Sequence, residues 1–130
     1  MKIEIRQDVG ETGSLEEFTW DLFPLVDAST TLHLEGSGLP RVGSQIEPGM
    51  IFVGKIARTL SYDPSHQPTP LEIHGLDRQA LRQKYGHMWR DTSHYADESQ
   101  SGTVMSASFV QRDELVFAIV LIVKGKLYSE

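Results

Sequence analysis

LVFAIVLIV, residues 115–123, decides the fold. Nine apolar residues fall well short of the roughly 20 that a membrane helix needs. The run lacks the alternation of a half-buried strand, which predicts a strand covered on both faces in the middle of a sheet. Its strand pattern continues as ELVFAIVLIVKGKLY over residues 114–128. Just before it, SGTVMSASFVQ at 101–111 is a second strand, and the two meet near Arg112-Asp113, most simply as an antiparallel hairpin. A strand this apolar becomes an aggregation site unless faces and edges are protected.

Working back towards the start, KIEIRQ alternates: Ile3 and Ile5 point one way, Lys2, Glu4 and Arg6 the other, as in a strand with one buried face. SLEE at 14–17 matches a helix capping box, with Leu15, Phe18 and Leu22 at helical spacing after it and Pro24 as a stop. TTLHLEG reads as a strand with Leu32 and Leu34 inward and His33 outward. The glycine-rich stretch 36–49 ends in Pro48-Gly49, a good type II turn pair. MIFVGKIARTL reads as a longer strand, bulged or bent at Gly54. A proline-stiffened loop, SYDPSHQPTP, leads to a short strand, LEIH, and then to the main helix, which Asp77 caps and which runs through HMWRDTSH at 87–94.

These pieces predict an α+β fold: a mostly antiparallel, curved sheet of about six strands with two helices packed on one face, in the order β-α-β-β-β-α-β-β. At 130 residues and 39% apolar composition, residues 1–130 are expected to form a single globular domain without metals or crosslinks. Two helices leave part of the sheet uncovered, so a homodimer that buries the remaining face is expected.

Composition narrows the function. There are no cysteines, which excludes disulfides, thiolate–zinc sites and a cysteine nucleophile, and suits a reducing, cytoplasmic location. The formal net charge of −6, without a Lys/Arg run, argues against nucleic acid as a partner. Neither a signal peptide nor a membrane segment is expected. A small cationic or apolar ligand, or another protein, stays open.

The glycines at 36, 38, 43 and 49 fit neither a dinucleotide fingerprint nor a P-loop, and no Gly-x-Ser-x-Gly exists. On a continuous helix His87, Asp91 and His94 share a stripe, but His87 and His94 then lie about 10 Å apart along the axis, too far for one ion. They read as a solvated helix face, and neither metal nor cofactor is expected. On a strand, Glu72 and His74 share a face; with the helix packed across it, His87 converges on them as a general-base set. The simpler reading is that Leu71 and Ile73 point in and Glu72 and His74 out. Trp89, Tyr95 and Tyr85, with Trp20 and Phe23, are candidates to line an apolar ligand cavity, with His66 and Tyr62 at its rim; such aromatics are more often plain core. The leading expectation is a binding or accessory protein. The alternative is a small hydrolase or isomerase using Glu72, His74 and His87.

Overall fold

A computed structural model of the chain describes residues 1–124. It is a mixed α+β fold: a curled, wholly antiparallel set of strands with few helices. Nine strands occur among the described residues. The largest sheet has the order β1 (Lys2–Arg6), β9 (Leu115–Val123), β8 (Gly102–Arg112), β3 (Gln45–Ile46). A second joins β2 (Glu17–Phe18), β5 (Lys55–Arg58) and β6 (Trp89–Asp91), and β4 (Ile51–Val53) pairs with β7 (His94–Tyr95). The helices are short: α1 (Pro70–Gly75) and α2 (Arg78–Tyr85).

The β8–β9 hairpin turns at Asp113, which adopts a left-handed φ of 57°, and β9 runs centrally between β1 and β8. Its faces differ, contrary to the expected cover on both. Ala118, Val120 and Ile122 join Ile3, Ile5, Phe52 and Val104 in the main core. On the other face Leu121 and Val123 are 41% and 43% exposed. Part of that face is sheltered by Arg112, which ion-pairs with Glu4 at 2.9 Å and lies 5.3 Å from the Phe117 ring centre. A long cationic stem covers apolar surface while its head stays wet. The continuation of this strand through residues 125–128 lies outside the described residues.

Four readings of local pattern are corrected, and with them the expected element order. The first helix does not form: Glu16 turns inward to Lys55, and Glu17–Phe18 pair with Lys55–Ile56 as β2. TTLHLEG is not a strand. A 3-10 turn, Ala28–Thr31, runs into its start, after which Leu32 is exposed, Leu34 is buried and His33 Nε2 donates to the Ile51 carbonyl at 2.6 Å. LEIH is helical, not extended; Thr69 accepts from the Glu72 amide, Glu72 reaches back to the Thr69 amide, and Pro70 sits at the first position, where its missing N–H costs nothing. The main helix starts at Asp77 as read, with Asp77 Oδ1 accepting from the Ala80 amide at 2.8 Å, but ends at Tyr85. A 3-10 turn at Gly86–Met88 then feeds β6, because β5 recruits the following residues: Ile56, Ala57 and Arg58 pair with Asp91, Arg90 and Trp89.

Gly54 separates β4 from β5. A Cβ there would meet the Thr19 carbonyl oxygen at 2.1 Å, so the chain must be bare where this loop crosses. Gly49 takes the positive φ, 88°, that its turn demands.

Candidate functional site

The candidate residues gather where α2, the 3-10 turn and β6 meet the proline-rich loop. Leu81, Tyr85 and Met88 form a small buried cluster, and Trp89 packs both on it and on the neighbouring cluster of Leu22, Leu34, Ile51 and Ile56. Trp89 is held in place because the Thr59 amide donates to the Met88 carbonyl at 2.9 Å and Thr59 Oγ1 to the His87 carbonyl at 2.6 Å.

Around this anchor the rings are contiguous. Tyr62 meets Trp89 edge-on, with centroids 5.0 Å apart. The His66 ring packs at a tilt against Tyr85, with centroids 4.7 Å apart, lies 6.0 Å from His87, and donates from Nε2 to the Lys84 carbonyl at 3.2 Å. The Arg58 guanidinium sits 4.4 Å from the Tyr62 centroid and 5.8 Å from that of Trp89, within reach of cation–π attraction. The proline-rich loop is thereby pinned to α2 by its two aromatic side chains.

Glu72 enters from α1. Its carboxylate accepts from Tyr85 Oη at 2.6 Å and pairs with Lys84. Hydrogen bonds from Lys84, Tyr85 and the Thr69 amide lower its pKa to about 2, and Glu72 in turn raises the pKa of Lys84 and of Tyr85. A general base works best near the operating pH; this carboxylate, with both oxygens engaged, is suited to fastening α1 to α2. On α1 the two-residue spacing turns Glu72 and His74 about 200° apart, so the shared face expected of a strand is lost. His74 is exposed, and none of the hydrogen bonds among the described residues joins Glu72 to His74 or His87.

The stripe of His87, Asp91 and His94 also dissolves with the helix that carried it. Asp91 accepts from the Ser93 amide at 3.0 Å and from Tyr95 Oη, and His94 Nε2 lies 2.9 Å from Gln100 Oε1. Burial and the bond to Asp91 both raise the Tyr95 pKa. No group of three His, Asp or Glu side chains among the described residues is placed to hold a metal ion.

Two cavities flank Trp89. One, of about 430 Å³, has Phe23, Ile73, Tyr85 and Trp89 among its walls and the carboxylates of Glu17 and Asp21. The other, shallower and about 610 Å³, is bordered by Arg82, His87, Arg90, Trp89 and Tyr95. Glu17 and Asp21 were missed in the sequence because that stretch reads as a helix; once it is a strand followed by irregular chain, it forms one wall together with Phe23.

No family model matches the chain. It is similar to the DNA-directed RNA polymerase subunit beta of Bacteroides thetaiotaomicron, 34% identical over 110 residues, 84% of this chain but 8% of that subunit. The subunit of Phocaeicola vulgatus is 35% identical over 98 residues, 75% of this chain and 7% of that protein. That of Bacteroides fragilis is 33% identical over 110 residues, with the same shares as the first. The chain thus spans less than a tenth of the length of these relatives. Their identity overturns the expectation of a homodimer without nucleic-acid involvement: each is a subunit of a DNA-directed polymerase. No helix among the described residues is long and apolar enough to cross a membrane.

Proposed function

We propose that this chain is a binding module of the transcription machinery, folded as one unit, acting in the cytosol by docking onto a protein partner rather than by turning over a substrate. The observation that carries this reading is the 33–35% identity, over 75–84% of the chain, to beta subunits of RNA polymerase. Two features of the site support it. Its aromatic side chains are packed against one another next to open cavities, as at binding surfaces, and its one strongly shifted carboxylate is committed to an internal clasp.

The test is direct binding of the purified chain, immobilised, to purified core RNA polymerase from its host, with an unrelated acidic protein of similar size as control and a labelled DNA duplex as a second analyte. Saturable binding of the polymerase, absent from the control surface, is the expected result. Binding of the duplex without the polymerase, or of neither, would remove the reading.

A further inference from the structure

We propose that the 430 Å³ cavity beside Trp89 receives an arginine side chain of a protein partner. The inference rests on the docking reading above and adds the chemistry of the contact. The cavity is within the ~300–1,000 Å³ range of ligand pockets. Its walls are mainly apolar and aromatic, Phe23, Ile73, Tyr85 and Trp89 among them, and its only charged lining residues among the described residues are Glu17 and Asp21. An uncharged apolar occupant would leave Asp21, which has no ion pair among the described residues, without compensation.

The cations nearby reach Glu17 but leave Asp21 without one. Arg58 approaches Glu17 at 3.6 Å, and Arg78 is directed to the Pro24 carbonyl at 3.4 Å. Asp21 has no ion pair among the described residues and is exposed, while its amide donates to Thr19 Oγ1 at 3.0 Å, which holds the backbone in place. The site therefore offers one uncommitted carboxylate at the edge of an aromatic pocket.

Arginine matches this better than lysine. Its planar guanidinium stacks on aromatic faces, binds a carboxylate through two parallel hydrogen bonds, and is more weakly hydrated than an ammonium. The chain already holds one guanidinium, that of Arg58, against the Tyr62 and Trp89 rings. The three-carbon stem of a second would lie along Ile73 and Phe23 while its head meets Asp21.

The experiment is NMR titration of the full chain with N-acetyl-arginine methylamide and its lysine, citrulline and norleucine counterparts. The Trp89 indole N–H is the reporter, and that of Trp20, the other tryptophan, is the internal reference. The arginine compound is expected to shift Trp89 and to bind about tenfold more tightly than citrulline or norleucine. Asp21→Asn, an exposed substitution whose folding is checked by an unchanged melting temperature, is expected to weaken it by about the same factor. Equal binding of norleucine or lysine, no shift of Trp89 at tens of millimolar arginine compound, or full binding to Asp21→Asn would each overturn the assignment. Polymerase binding is measured separately on the unsubstituted chain. If it occurs while no arginine probe binds, this inference falls and the docking reading stands; if neither occurs, both fall.

Discussion

Lys55 Nζ lies 2.7 Å from Glu16 Oε1, and both side chains are only 8% exposed. Lys55 also donates to the Arg6 carbonyl at 3.2 Å, and the Asp8 amide donates to Glu16 Oε1 at 2.8 Å. One ion pair thus joins the end of β1, the approach to β2 and the start of β5. Burial works to raise the Glu16 pKa, but hydrogen bonds from Lys55 and the Asp8 amide outweigh it and hold the carboxyl below its ordinary value.

Breaking this pair from one side leaves a buried charge without a partner. Lys55→Met is expected to destabilise the fold by about 3–5 kcal/mol, whereas the double variant Lys55→Met, Glu16→Leu recovers most of that loss. Urea unfolding of the three proteins decides it. A single variant as stable as the parent would show that water reaches the pair.

The Glu72 clasp has a defined pH window. Its folded pKa, about 2, lies below the ordinary 4.5. Its contribution is therefore fully present above about pH 4.5 and is lost as pH falls through about 2. In Lys84→Met, which removes the largest cause, the Glu72 carboxyl carbon should titrate closer to 4.5. A midpoint unchanged by the substitution, followed by carbon-detected NMR, would remove Lys84 as the cause.

Gly54 and Gly43 should respond differently to alanine. At Gly54 the new Cβ collides with the Thr19 carbonyl oxygen, a backbone atom that cannot swing away. Gly54→Ala should cost roughly 3 kcal/mol or more, the upper end for overpacking. At Gly43, with φ of 89° and no neighbouring atom within 4 Å, the cost should be limited to about 1–2 kcal/mol of left-handed backbone strain. Melting temperatures of the two variants give the comparison, and equal shifts would sink it.

Thr69→Ala removes the cap of α1 and is expected to cost about 1 kcal/mol, confined to that helix. Amide exchange should accelerate over residues 70–76 while β8 and β9 keep their protection. Uniform acceleration across the chain would mean that α1 is tied to global unfolding.

The same motif, a serine or threonine followed three residues later by glutamate, occurs at Ser14–Glu17 and Thr69–Glu72, and its outcomes are opposite. At Thr69 the box closes and Pro70 presets the first helical turn. Leu71 and Ile73, which suggested a strand, are 86% and 53% exposed, so their alternation carried no burial information. At Ser14 local preference loses to distant partners: Lys55 takes Glu16, and β5 takes Glu17 and Phe18. Of the candidate side chains, Tyr62, His66, Glu72, Tyr85, His87 and Trp89 come together through rings and hydrogen bonds, while His74 stays exposed on α1.

What lies in the chain alone is the short-range grammar: the alternation of β1, the β8–β9 hairpin and its turn, the Asp77 cap, the Pro48-Gly49 turn and the break at Gly54. Each depends on neighbours a few residues away, so each is readable without the rest of the molecule. The fate of residues 14–23 and 87–95 depends on β5, which pairs with β2 on one side and β6 on the other. The cavity beside Trp89 depends on it too, because its walls come from the chain near β2, from β5, from α1 and from α2. Only tertiary contact could decide these, since a weak local propensity yields wherever burying a charge pair or completing a sheet is worth more.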